Sequence, residues 1–265
     1  YQGRQAKLKM YLPFIILAIF WDISIHTVTA FLFSANAGRH FWHNPLLAPR
    51  FIASAFCSGP ALAIIILQVV RKLAGYPVRQ SAIDTLAITM SVSLQITLFF
   101  LFAELFTDFY FEHAHSASAR YLFFGLHGAA KLTPWIWTAL VLLVIAVTIL
   151  MIHPLRHKPL LLNIACILTV IGVWIEKGMG LVIPGYIPTP LGEIFEYFPN
   201  ATEVRISLGI WAIGLLTFTL LAKAGMAIER GKLRFRDDIE EQLAGMSSEE
   251  EEGSMATTTP LRSVE

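Results

Sequence analysis

Charged residues and cysteines are both scarce in this chain. Only 15% of its 265 residues are charged, whereas soluble domains carry about 25%. The two cysteines, Cys57 and Cys166, lie in apolar runs and belong to no CxxC or Cys/His cluster. The sequence therefore predicts no zinc or iron–sulfur ligand set, and we interpret both cysteines as small core residues.

The motifs of soluble enzymes are also missing. The sequence has no Gly-rich phosphate loop, no nucleophile elbow and no HExxH motif. Its basic residues flank apolar segments, which gives no reason to expect a nucleic-acid partner. His26 is the only histidine clearly inside an apolar segment, and a haem held by two axial histidines needs a second one. We expect no haem or metal in this chain.

Long apolar runs dominate what is present. Hydrophobic residues make up 55% of the chain and the mean hydropathy is +0.62. Six segments reach the roughly 20 apolar residues that a membrane-spanning helix needs. They run over about 10–35, 50–71, 82–111, 133–153, 159–183 and 204–227. This pattern predicts an all-α integral membrane protein whose six helices occupy residues 1–230, followed by a mostly disordered acidic tail at 231–265.

Lysine and arginine predict the orientation of the helices in the membrane. Thirteen of them flank the segments on the side that holds both chain ends, and six lie on the other side. Positive residues favour the cytoplasmic side, so we expect a multi-pass protein of the inner (cytoplasmic) membrane with both ends in the cytoplasm. The predicted outer loops include the aromatic segment 39–43 and the proline-rich segment 183–190.

Ionisable side chains inside apolar segments are the candidates for chemistry, because a charge in a membrane is costly. Asp22 and His26 share one helical face. A carboxylate beside an imidazole fixes its tautomer and raises its proton affinity, so the pair suits proton acceptance. The alternative is a buried polar pair that only holds helices together. Glu104 and Glu176 lie in the third and fifth segments, and of Glu176 and Lys177 we expect one to face the bundle and the other to reach the interface.

Several stretches resemble a known family. They are 25–31 (IHTVTAF), 48–56 (APRFIASAF), 58–61 (SGPA), 176–180 (EKGMG) and 190–193 (PLGE). Together they resemble the NrfD/PsrC-type quinone-interacting membrane subunits, most strongly the DsrP-type subunits of sulfite-reduction-associated complexes. The resemblance implies a NrfD-like helical bundle that exchanges electrons and protons between menaquinone, or another quinone, and an extracytoplasmic iron–sulfur subunit. It also implies other membrane and cytochrome subunits in the same respiratory complex.

The resemblance implies roles for particular residues. Asp22, His26, Glu104 and Glu176 would handle protons, while His26, Arg50 and Lys177 would contact the quinone. DsrP-like chains have more than six helices, and this sequence begins at Tyr1 without a methionine. We therefore expect it to correspond to the C-terminal six helices of such a protein. Two other functions use the same features: a proton channel or secondary transporter with these buried carboxylates, and a purely structural membrane anchor.

Overall fold

A computed structural model describes residues 8–110, 116–189, 191–197 and 199–230. This part of the chain is helical, with no β-strand beyond an isolated bridge between Leu126 and Ala129. The α-helices are α1 Leu8–Ser34, α2 Leu47–Ala74, α3 Gln80–Tyr110, α4 Ser116–Phe124, α5 Thr133–Met151, α6 His153–Arg156, α7 Pro159–Lys177 and α8 Ala201–Glu229. The predicted tail at 231–265 lies outside the described residues.

The six predicted spans are confirmed. Six helical segments are long and apolar enough to cross a membrane: Leu12–Ser34, Leu47–Ala74, Gln80–Tyr110, Thr133–Met151, Pro159–Tyr186 and Ala201–Ile228. The second span begins at Leu47, earlier than predicted, and so includes Pro49 in its first turn. A proline is tolerated there because the first turn of a helix has no hydrogen bond for it to interrupt. The fifth extends further, because α7 continues through a π-helical turn, Gly178–Val182, and a 3₁₀ turn, Pro184–Tyr186.

The chain forms two compact units. The larger one, Phe14–Tyr197, holds most of α1 and all of α2 to α7. The described part of the other unit consists of the first residues of α1 and of α8 with its flanks. α8 begins with a capping box, in which the Asn200 side chain accepts hydrogen bonds from the backbone of Thr202 and Glu203. The side chains along α8 are mostly exposed, as expected of a helix that turns apolar residues towards lipid or other proteins.

Four long helices form the core of the larger unit. α2 packs against α3 and α7, and α5 packs against α7 and α3. Small side chains fill much of the contact region, among them the fully buried Cys57 and Cys166, which confirms their interpretation as core residues. Small residues let membrane helices approach closely. Asn163 on α7 donates a hydrogen bond to Gln68 on α2 at 2.9 Å, so it links two helices.

One end of the larger unit is closed by its connecting segments, and we call it the capped end (residues 35–46, 116–132, 178–189 and 191–197). The Trp42 indole N–H donates to the carbonyl of Leu181 at 2.8 Å, and its ring meets the Tyr186 ring edge-to-face with centroids 4.9 Å apart. Gly185 lies against the same indole, where a Cβ would overlap the ring. Arg39 bonds to the Tyr186 carbonyl at 3.3 Å. The two predicted outer loops therefore form one surface.

A second contact ties residues 191–197 to the same end. The Glu196 carboxylate lies 2.8 Å from the Lys131 ammonium and accepts hydrogen bonds from the backbone N–H groups of Ala130 and Lys131. These donors favour the ionised form, so the pKa of Glu196 lies below its usual range, the Lys131 side chain being the main cause. Ser118 also donates to the Ile187 carbonyl. The capped end is therefore held by specific polar contacts as well as by aromatic packing.

Candidate functional site: a buried charge cluster near the capped end

Arg50 is the centre of a buried charge cluster. It lies in the first turns of α2 and is only 3% exposed. Its guanidinium pairs with Glu104 near the end of α3 and with Glu176 in the last turn of α7. Because α2 runs away from the capped end while α3 and α7 run towards it, these three side chains reach the same depth. Both carboxylates are also buried, at 3% and 1% exposure.

Lys177 completes the cluster. Its ammonium lies 3.4 Å from Glu176 and 4.8 Å from the centroid of the Phe51 ring. The expectation that one member of the Glu176–Lys177 pair reaches the interface is wrong, since the Lys177 ammonium is buried. The Glu176 carboxylate and the Phe51 ring replace water around the Lys177 ammonium. A π-helical turn begins at the next residue, Gly178. Single π-helical turns of this kind occur frequently at functional sites.

Four ionisable groups in an apolar bundle form a balanced arrangement. Two cations and two carboxylates cancel when all are ionised, which lowers the cost of burying them. The planar guanidinium suits the central position because it can bond two carboxylates at once. Among the described residues, Arg50 Nε and Lys177 Nζ are buried donors without a hydrogen-bond acceptor. Buried donors are normally bonded, so these two are available to a ligand or to water.

A small cleft opens beside the cluster. Its cavity volume is about 10 Å³, which is room for about one water molecule. Arg50, Glu104 and Asp108 provide its ionisable groups, and the rest of its wall is almost entirely apolar, formed by Phe41, Leu101, Leu105, Leu122, Phe123, Ile136 and Gly180. Apolar walls with a few convergent polar groups are typical of small-molecule sites, but such sites measure roughly 300–1,000 Å³, so any ligand larger than water would have to widen this cleft.

Asp22 and His26 lie elsewhere, on α1. His26 Nδ1 donates to the main-chain carbonyl of Asp22 at 2.9 Å, while the Asp22 carboxylate is 3.9 Å away. The carbonyl therefore fixes the tautomer, which leaves Nε2 as a proton acceptor. The side chains are 33% exposed for His26 and 69% for Asp22. Within the described residues neither bonds to any member of the charge cluster, so the structure divides the predicted site residues into two groups.

Asp108 is the ionisable residue of the cleft that was not predicted from the sequence to belong to the site. Its signal was its position four residues after Glu104, which puts the two carboxylates on one face of α3. The contact of Phe51 with Lys177 could not be predicted from the sequence. A phenylalanine in an apolar run looks the same whether it lies in the core, faces lipid or contacts a cation. Among the described residues, no three or more His, Cys, Asp or Glu side chains are grouped to hold a metal ion.

The cluster and its cleft fall within a stretch that matches a known family. Residues 4–189 match the model of the family described as "Polysulphide reductase, NrfD". The chain belongs to the NrfD family. The match covers Arg50, Glu104, Glu176 and Lys177, and also Asp22 and His26. The predicted resemblance to this family is therefore confirmed, and α8 lies beyond the matched range.

Three curated relatives are similar to this NrfD-family chain. A putative membrane subunit of dimethyl sulfoxide reductase from Halobacterium salinarum is 25% identical over 73% of this chain and 48% of its own length. A selenate reductase subunit from Mesobacillus selenatarsenatis is 25% identical over 75% and 47%. An Hdr-like menaquinol oxidoreductase integral membrane subunit from Archaeoglobus fulgidus is 26% identical over 78% and 55%. The chain spans about half the length of these relatives. The assignment to the DsrP subgroup stays a prediction.

Proposed function

We propose that this chain is the quinone-reactive membrane subunit of an oxidoreductase complex and that the charge cluster is its quinone headgroup site. The observation that carries the proposal is the set of four buried ionisable groups, two of which, Arg50 and Glu104, line an apolar cleft. Burying them is expensive, and ionisable residues within membranes mark substrate and proton pathways by default. Arg50 and Lys177 offer unused donors to a quinone carbonyl, and Glu104 offers a proton acceptor at the cleft.

The chemistry of a quinol fits these groups. Oxidation of a quinol to a quinone breaks two O–H bonds and releases two protons and two electrons. Glu104 and Glu176 are the carboxylates placed to accept protons, and Arg50 holds both of them in position. The electrons pass to a partner subunit, since the four groups of the cluster are not redox-active. The reverse direction uses the same groups in the opposite order.

The wider assembly is part of the proposal. One relative is a menaquinol oxidoreductase membrane subunit by name, which supports menaquinol as the substrate. The iron–sulfur partner would dock at the capped end, where the exposed Tyr186 ring and the Arg39 guanidinium over it form a surface near the charge cluster. A role in sulfite metabolism, with further cytochrome subunits, extends this proposal and rests on the DsrP-like stretches alone.

Asp22 and His26 form a second candidate proton acceptor. The free Nε2 of His26 would accept a proton from a quinol approaching α1 from the side. The charge cluster is favoured as the headgroup site because it has donors, acceptors and a cleft in one place. The α1 pair would then contribute a proton path or bind a neighbouring helix.

Quinol oxidation in the complete complex tests these assignments. We expect Glu104→Gln to lower quinol-linked electron transfer by ~100-fold or more, the scale of a lost general base, with assembly intact. Asp22→Asn and His26→Ala are measured in parallel, and Asn163→Ala serves as a packing control because it removes a partly buried polar link outside the cluster. Rates are normalised to assembled complex.

Each outcome separates the competing functions. Normal turnover in Glu104→Gln with loss in His26→Ala would move the quinone site to α1. Normal turnover in all three variants would indicate a structural anchor. Proton flux across sealed vesicles that continues without any quinol would indicate a channel or transporter. The proposal requires loss in Glu104→Gln and normal specific turnover in Asn163→Ala.

A further inference from the structure

At the end of the larger unit opposite the capped end, two histidines converge. His153 begins the short helix α6, and His157 follows its last residue. Their Nε2 atoms lie 3.1 Å apart, and their ring centroids are 4.3 Å apart. Both side chains are exposed, so an ion and its waters can reach them. This pair takes no part in the quinone chemistry proposed above.

A carboxylate on another helix holds the outer side of this pair. Asp84, near the start of α3, lies 3.8 Å from His157 Nδ1. Asp84 is itself held by the Gln80 amide, which donates to it at 3.2 Å, and Gln80 accepts from Arg71 at 3.2 Å. This distance is too long for a direct hydrogen bond, but the negative charge of the carboxylate favours the tautomer with its proton on Nδ1. The lone pair of His157 Nε2 then points towards His153.

Against the expectation that this chain holds no metal, we propose that His153 and His157 form a two-histidine site for a divalent transition metal such as Zn²⁺, with water in the remaining coordination positions. Zn–N bonds of about 2.0–2.1 Å place two tetrahedral or octahedral ligand nitrogens about 2.9–3.4 Å apart. The separation of the two Nε2 atoms already lies in that range, so a small turn of the rings would direct both lone pairs at one ion. The Asp84–His157 contact supplies the outer carboxylate that metal-bound histidines typically have.

The ligand set determines which ions fit. Imidazole nitrogens suit Zn²⁺, Cu²⁺ and Ni²⁺, whereas Mg²⁺ and Ca²⁺ prefer oxygen. Two protein ligands give a weaker site than the four of a structural zinc centre. Because Asp84 belongs to α3 and the histidines flank α6, a bound ion would couple the start of α3 to the connection between α5 and α7.

Zn²⁺ titration of the purified, tag-free full-length protein tests the site. Calorimetry in detergent should find one Zn²⁺ bound per chain at this site. His153→Gln and His157→Gln should each weaken that binding by more than the 10–100-fold that loss of an outer partner typically costs, and Asp84→Asn by about 10–100-fold. His127→Asn is the matched control: it removes one exposed histidine at the capped end, and Asn tolerates its φ of 50°.

A spectroscopic readout separates the site from adventitious binding. With Cu²⁺ as the probe, electron paramagnetic resonance should show coordination by two imidazole nitrogens that is lost in either histidine variant. Mg²⁺ should not compete with either ion. Zn²⁺ binding that is absent, that is unchanged in His153→Gln and His157→Gln, or that falls equally in His127→Asn would overturn the proposal and leave an ordinary hydrogen bond between the two rings.

Discussion

At the scale of single residues, Arg50 links three helices of this protein. One guanidinium holds carboxylates from two other helices, so its loss leaves two buried negative charges with only Lys177 nearby. Breaking a buried ion pair by removing one partner is strongly destabilising, while replacing both partners together costs much less. The cluster is therefore a structural link as well as a candidate site.

We expect Arg50→Met to lower the free energy of unfolding by about 3–5 kcal/mol. The double variant Arg50→Met/Glu104→Gln should be less destabilised than the sum of the two single variants, by about 0.5–3 kcal/mol. Reversible unfolding of the purified protein in mixed micelles measures both effects. Arg205→Gln, an exposed position on α8, is the control and should stay within about 0.5 kcal/mol. Strict additivity in the cycle would show that Arg50 does not hold Glu104.

At the scale of helices, the close approach of α5 and α7 sets the position of Glu176. Gly172 lies one turn before Glu176, where a Cβ would be 2.7 Å from Leu143 Cδ2 and 3.4 Å from the carbonyl of Ala139. A side chain here must displace the Leu143 side chain or push α7 away from α5. Since Glu176 lies on the next turn of α7, this contact also influences its distance from Arg50.

We expect Gly172→Val to destabilise the protein by about 1–3 kcal/mol through overpacking. Adding Leu143→Ala should recover part of that loss, because it removes the atoms that the new side chain meets. Gly209→Val on α8 is the matched control, since nothing lies within 4 Å of a Cβ at that position. Unfolding in mixed micelles compares the three. Equal effects at Gly172 and Gly209 would contradict a tight contact between α5 and α7.

At the scale of the whole molecule, the orientation in the membrane decides which partner can reach the charge cluster. The excess of lysine and arginine predicts that the connection at 75–79 lies in the cytoplasm and the capped end outside. With the opposite orientation, the cluster would be near the cytoplasmic surface and an extracytoplasmic partner would be too far away to exchange electrons there.

Cysteine labelling tests this orientation. In sealed cells, a membrane-impermeant thiol reagent should modify Ala37→Cys at the capped end and leave Pro77→Cys unmodified until the cells are opened; both positions are exposed. The native Cys57 and Cys166 are fully buried, so the unmodified protein should give little background. Labelling of Pro77→Cys in sealed cells would reverse the orientation and the proposed docking side.

Most of the fold could be predicted from the sequence, because a membrane-spanning helix depends on the hydrophobicity of its own segment. About 20 consecutive apolar residues predict a span without reference to the rest of the chain. This is why all six spans matched and only their ends shifted, by three residues at most. Glu104, Glu176 and Lys177 were also named singly as candidates, because an ionisable residue in an apolar run stands out by itself, whereas Arg50 was named through the family resemblance.

Their assembly was decided by the tertiary structure. Arg50 and Glu176 are 126 residues apart, and nothing in either segment specifies which helix faces which. The same holds for Asp84 beside His157 and for Lys177, which turns inward to Phe51. Asp22 and His26 formed the most visible pair in the sequence because they are four residues apart, yet they lie apart from the cluster. Hydrophobicity along the chain determines which segments span the membrane, whereas the packing of side chains between helices determines which charges meet.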